Sequence, residues 1–413
     1  MAGWGCARCA FAENQSERNA AVFDAVWEQV NEAYYDPEFS GVDWEAQRDS
    51  VRPLAVKATS GNELERLLNH MLGQLGVTHL AVLGLGDDER LFLASSGDGY
   101  SGIRLSELDD KVVALRVFED SPADAAGVVA GMEVRKISGR DVYEIRAALK
   151  NTGIEGVRLR HAWLKHLQTL LDGRPEKKRT LELADLEGNA QTVRFKLGQR
   201  PVEFSEQIGY LPSLPLEFEH RKLENGIHYI HFNLFLPEMM SRLRPALQGV
   251  ERGLVLDLRG NEGGVGLMAN GVAGLLISEQ TELGRSDLRD GWLGFVAYPQ
   301  QNAFLGPVAV LVDSGTASTA ELLAGGLQQA ERGRVFGERT SGAAMLSLLT
   351  QLPGGGKFQF VIGDLKLADG SRIDGTGVTP DVSITTTREA LFAGEDPVLE
   401  AAQQWLDEEL AQP

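Results

Sequence analysis

Two uninterrupted apolar runs, GLVLDL at 253–258 and VAVLVD at 308–313, limit the fold more than any other feature of this 413-residue chain. A strand with one wet face alternates apolar and polar residues. A run without alternation belongs to a central strand covered on both sides, the pattern of an α/β sheet. Helical stretches such as TAELLAGGLQQAE (319–331) lie between such runs, so an α/β core is expected over 201–395, followed by a C-terminal helix over 396–413.

The texture upstream is different. Apolar residues recur at helical spacing in AAVFDAVWEQVNEAYYD (20–36) and NELERLLNHMLGQLG (62–76), with a break at Pro37 and Gly41. VTHLAVLGLG (77–86) then alternates as a strand does, which makes 1–94 a helical region leading into a core strand. Residues 95–200 read as short strands punctuated by glycine, interrupted near 161–180 by an amphipathic helix and a basic loop.

Composition removes several classes of function. Forty Lys and Arg against 59 Asp and Glu leave a formal charge of −19, which repels phosphate backbones, so no nucleic-acid partner is expected. No apolar stretch approaches the roughly 20 residues a transmembrane helix needs. The two cysteines, Cys6 and Cys9, form one C-x-x-C, half a zinc site at most, so no metal site is expected. AFA at 10–12 has the small-x-small form of a signal-peptide end without a basic start or a full apolar segment, implying a clipped signal or none.

Three segments carry chemistry. SGTASTAELL (314–323) follows an apolar run, and Ser318 and Glu321 within it fit a helix capping box. RGNEGG (259–264) is a glycine turn after another strand, and GVGLMA (264–269) matches G-x-G-x-x-A. The strand before it ends well short of Gly264, whereas a dinucleotide site needs its first glycine at the strand end. No organic cofactor is expected.

Taken in order, GIHYIHFNLF (226–235), LVLDLRGNEGGVG (254–266), the segment 308–342 and GSRIDGTGVTPDVSI (370–384) resemble the C-terminal-processing, or tail-specific, and tricorn-core-like serine proteases. The resemblance implies a crotonase-like core of βαβ repeats around a mostly parallel sheet. It makes Ser318 the nucleophile, with the amides of Thr319 and Gly264, or its neighbour Gly263, as oxyanion donors. The tail-specific branch has a lysine 25 positions after the nucleophile, and this chain has Ala343 there. Lys357 and Lys366 read as exposed strand lysines and His228 and His231 as strand histidines. The tricorn-like branch has a histidine and a downstream carboxylate instead, which correspond to His79 with Thr78 in LGVTHLAVL and to Asp374 in SRIDGTGVTPD.

A carboxylate partner favours imidazolium, so the His79 midpoint is expected at or above about 6.5. Whether Asp374 reaches His79 directly or through Thr78 stays open at this level. The stretch 95–200 resembles a PDZ domain, with Met132 where that family usually has aspartate. In that fold the turn Tyr100, Ser101, Gly102, Ile103 holds a peptide's terminal carboxylate. The implied activity is serine endopeptidase action on unfolded or C-terminal segments of polypeptides, in the periplasm or elsewhere outside the cytoplasm, with the cytoplasm as the alternative. The alternative function is a silent peptide-binding scaffold.

Overall fold

The computed structural model describes residues 6–86, 99–151 and 154–411. Helices α1 (Cys6–Ala33), α2 (Trp44–Val56) and α3 (Gly61–Gly73) open the chain. Asp43 accepts from the Ala46 amide and Ser60 from the Glu63 amide, satisfying donors that the first turns of α2 and α3 leave open. Val22, Phe23, Val26, Trp27 and Val30 line one face of α1 and share a core with Leu64, Leu68 and Met71 of α3. Phe358, Phe360 and Val361 belong to the same cluster, so the helical region completes its core with residues from far downstream. The boundary expected at 94–95 lies outside the described residues.

Those downstream residues sit on β20 (Lys357–Leu367), against which β1 (Ala81–Leu83) runs antiparallel with Val82 opposite Phe358. β15 (Thr281–Leu288) pairs with β20 and with β16 (Gly291–Ala297), and β19 (Met345–Gln351) joins β20. All of these pairings are antiparallel. The core therefore holds two sheets where one mostly parallel sheet was expected.

The second sheet has the order β12 (Phe218–Lys222), β13 (His228–Phe232), β14 (Leu254–Asp257), β17 (Val308–Val312), β18 (Arg334–Gly337), β21 (Val382–Ser383). Every pair from β13 to β21 is parallel. Leu254, Leu256, Val308 and Val310 pack into one core with α7 (Pro237–Gln248), α8 (Leu267–Gly274) and α9 (Thr319–Gln329). Val255, Ala309 and Leu311 pack into another with α11 (Pro397–Ala411). Burial on both faces is why these runs do not alternate.

Between β1 and the core lies an antiparallel sheet of β3 (Ile103–Leu108), β4 (Lys111–Val117), β5 (Glu133–Ile137), β7 (Lys178–Ala184) and β8 (Ala190–Lys196), with β6 (Arg140–Asp141) on β5. Short pairs, β2 (Gly99–Tyr100) with β9 (Gly198–Gln199) and β10 (Glu203–Phe204) with β11 (Pro215–Leu216), close its entry and exit. Its helices are α4 (Pro122–Ala125), α5 (Val142–Lys150) and α6 (Gly156–Leu171), and α10 (Arg388–Ala393) reaches back from the far end of the chain. There Arg388 Nε donates to the Gly131 carbonyl at 2.8 Å. The helix expected near 161–180 begins earlier, at Gly156, and ends at Leu171, the remainder being a turn into β7. Leu159, Trp163, Leu167 and Leu171 form its buried stripe, and Trp163 Nε1 donates to the Val142 carbonyl at 2.7 Å. This helix has a second stripe, which reaches the candidate site.

Candidate active site

β14 and β17 lie side by side and parallel, so the loops after Asp257 and Val312 open at the same sheet edge, where α/β sheets gather their functional groups. The first loop is the glycine turn, and the second delivers Ser318 at the start of α9. The Ala317 amide donates to the Asn261 carbonyl at 2.9 Å, and Thr319 Oγ1 to the Gly264 carbonyl at 3.0 Å. Asn261 is fully buried and holds the turn, its Nδ2 donating to the Phe232 carbonyl at 2.7 Å and its Oδ1 accepting from the Gly263 amide at 2.9 Å. A Cβ on Gly263 would lie 2.6 Å from that of Ser318, and its φ of +88° also excludes other residues.

Ser318 has φ 57° and ψ −121°, a conformation that costs a non-glycine residue on the order of 1–3 kcal/mol. Glu321 helps to hold it. Its carboxylate, wholly buried, accepts from the Ser318 amide at 2.9 Å, the glutamate half of the capping box. It also accepts from Thr340 Oγ1 at 2.5 Å and from the Gly342 and Ala343 amides at 2.8 and 3.1 Å. Burial pushes Glu321 up to about 7 against the pull of these donors. The backbone of Ala343, the position of the missing lysine, is thus one bond away from the carboxylate that holds the serine.

Thr78 and His79 stand just before β1, and the β1–β20 pairing brings them to Asp374. Asp374 has no exposed side-chain surface and is held by Arg158 at 3.2 Å, with Arg372 at 3.8 Å. Thr78 Oγ1 donates to Asp374 Oδ1, and the same oxygen lies 2.9 Å from His79 Nδ1. An ionised carboxylate only accepts, so the Thr78 hydrogen points at Asp374 and Thr78 must accept from Nδ1–H. The tautomer follows: His79 carries its proton on Nδ1 and leaves the Nε2 lone pair free. The question left open by the sequence is answered in favour of Thr78 as the link. His79 itself has φ 58°.

The expected upward shift of His79 is not found. Burial first, then the Lys165 charge, push it down to about 4, and the opposing pull of Asp374 is smaller. Sequence reasoning missed Lys165 because it lies on α6, on a stripe that continues through Arg158, His161, Lys165, Gln168 and Asp172. That i, i+3, i+7, i+10, i+14 spacing places all five on one side of the helix, which is the signal that could have found them. Burial and the charges of Lys165 and His79 depress His161 to about 3. Lys165 is lowered by burial against the attraction of Glu262 in the glycine turn, and Glu262 is raised by burial against Lys165.

The turn Tyr100–Ile103 is also in place, but its role as an open peptide site needs correction. Tyr100, Ser101 and Ile103 are buried. A carboxylate does sit on the turn, and it is the chain's own: Asp172 Oδ1 accepts from the Ser101 amide at 3.0 Å and its hydroxyl at 2.7 Å. The Ile103 amide donates to Ser101 Oγ at 3.2 Å, and a Cβ on Gly102 would strike Ser121.

The other candidates lie elsewhere. Lys357 donates to the Tyr210 carbonyl at 3.0 Å and Lys366 pairs with Asp287 at 2.7 Å. His228 and His231 are buried in β13. Gly264 and Gly266 precede α8, beyond the strand end at Asp257. Among the described residues no helix is long and apolar enough to cross a membrane.

These shifts predict a pH dependence of stability. His79 and His161, ordinarily near 6.5, bind fewer protons folded than unfolded below that value, so stability falls as pH drops from 6.5 through about 4 and then 3. Glu321, raised to about 7, acts with the opposite sign between 4.5 and 7. Of these three groups the two histidines outweigh the one glutamate between 6.5 and 4.5, so together they lower stability as the pH falls. Urea midpoints at pH 7, 5.5 and 4.5 should fall in that order. A flat series would contradict the depressed histidines.

Comparison with known proteins assigns the class first. Residues 226–384 match the family model "Peptidase family S41" and residues 16–73 the "Tricorn protease C1 domain". The class they define is the serine-type peptidases. The chain is a serine peptidase whose residues 226–384 match peptidase family S41. It is 27% identical over 371 residues to the carboxyl-terminal-processing protease of Picosynechococcus sp., covering 86% of this chain and 80% of that one. Its fold is shared with the photosystem II D1 C-terminal processing protease, with a TM-score of 0.60, 21% identity and coverage of 94% and 97%. The tricorn protease shares it as well, with a TM-score of 0.55, 16% identity and coverage of 95% of this chain and 37% of that one.

Proposed function

We propose that Ser318 attacks the scissile carbonyl of an unfolded polypeptide, C-terminal segments included, with His79 as its general base. The observation that carries this reading is the Asp374–Thr78–His79 chain, which joins residues 296 positions apart. A base depressed to about 4 is neutral throughout the physiological range, so it is available without deprotonation, at some loss of proton affinity. Asp374 and Thr78 offset that loss by stabilising the imidazolium that forms during attack.

For the oxyanion we assign the amides of Gly264 and Thr319. Among the described residues neither has a hydrogen-bond acceptor, and Gly264 is exposed. The Gly263 amide is taken by Asn261, which makes Gly263 the spacer that lets the turn approach Ser318. No metal or organic cofactor enters this scheme. We take the parallel sheet with its flanking helices as the crotonase-like core and the sheet of β3–β8 as the PDZ-like domain. Action outside the cytoplasm is the compartment that the family resemblance implies.

A silent scaffold would not need His79 joined through Thr78 to a buried carboxylate. A fluorophosphonate probe separates the two, because only an activated serine reacts. Stoichiometric labelling that maps to Ser318 is expected. An unlabelled chain, or a label on another serine, would sink the assignment.

A further inference from the structure

Among the described residues β3 is the outer strand of its sheet and pairs only with β4. Its free edge faces α6. Such an edge offers N–H and C=O groups to any extended segment, and strand addition is how a peptide binds a sheet of this kind. Here side chains already meet those groups. The Leu105 amide donates to Gln168 Oε1 at 3.2 Å, and Gln168 Nε2 donates to the Ile103 carbonyl at 2.9 Å. One primary amide thus occupies two groups, the Ile103 carbonyl and the Leu105 amide, that an added strand would otherwise bond.

Four positions further, Asp172 puts its carboxylate on the turn that opens β3. Gln168 Nε2 also reaches Asp172 Oδ2 at 2.9 Å, and Arg200 supplies the countercharge at 3.4 Å. An amide in strand register followed by a carboxylate on the turn is the outline of a peptide's last residues. Shielding an edge from aggregation explains Gln168 alone. It does not explain a buried anion, which is unfavourable unless paired and bonded as this one is.

We propose that Gln168 and Asp172 are a built-in surrogate for a peptide C-terminus, so that the groove of this domain is occupied by its own helix and an external tail enters only by displacing them. The proposal rests on the PDZ-like reading of the domain and not on the assignment of Ser318 or His79. It accounts for a turn that keeps the carboxylate-binding pattern while being buried.

The test is fluorescence anisotropy with a labelled ten-residue peptide ending in apolar residues, as free acid and as amide. The full chain carries Ser318→Ala to prevent turnover. Gln168→Ala removes the strand mimic from a half-buried position, and Asp172→Asn weakens the carboxylate mimic while keeping its shape. Each variant should bind the free acid at least tenfold more tightly than the parent, with little gain for the amide. Equal binding by parent and variants, equal gains for acid and amide, or no binding by intact variants would each overturn the proposal. Thermal melts establish intactness, and if Asp172→Asn does not fold, Gln168→Ala decides. Probe labelling of Ser318 is read separately on the unsubstituted chain, so failure of the groove and failure of the catalytic assignment are told apart.

Discussion

Replacing Ser318 with alanine is expected to lower the rate of casein hydrolysis by on the order of 10⁶, the scale of losing the nucleophile of a serine protease. The fold should survive, because one oxygen is removed and the backbone contacts of the turn do not involve it. The Ser318 amide still reaches Glu321, and Ala317 still reaches Asn261. Alanine tolerates φ 57° no better than serine does, so the strain at this residue is unchanged. Casein turnover and a thermal melt on the same preparation check both halves. A variant that keeps its melt and most of its activity would mean that Ser318 only caps α9.

His79→Ala should lose nearly as much, and combining it with Ser318→Ala should add little, since nucleophile and base act as a unit. The pH profile is the sharper measurement. With the imidazole held down to about 4, kcat/KM should stay level from pH 9 to about 5.5 and fall with a midpoint near 4. Short assays separate this limb from acid unfolding. Lys165→Met removes the neighbouring positive charge and should move the midpoint upward. A wild-type midpoint at 6.5 or above, or a Lys165→Met enzyme with an unmoved midpoint, would show that α6 does not set the base.

The strand runs, and the places of Ser318 at a strand-to-helix turn and of His79 before a strand, were legible because each is written locally. A strand buried on both faces cannot alternate, and a tight strand-to-helix turn leaves a string of small residues. The position of Ala343 pointed away from a lysine base in the same way. The failures are all long-range. Nothing near 101 announces that residue 172 will lie on it, and nothing near 79 reveals a lysine 86 positions away. The His79 shift was expected with the wrong sign because the carboxylate was visible in the sequence, whereas the burial and the helix that outweigh it exist only once the chain has folded. The antiparallel sheet around β20 escaped for a similar reason, since its partners are scattered between residues 81 and 367.

The pairing of β1 with β20 also bears on biosynthesis. A chain growing from its N-terminus delivers His79 first, Ser318 much later and Asp374 later still. β1 has no strand to dock on until residues 357–359 exist. A ribosome-bound or truncated chain therefore holds a histidine without a tautomer lock and a strand without a sheet. An unfinished copy therefore lacks the assembled Asp374–Thr78–His79 chain until the last part of the core has been made.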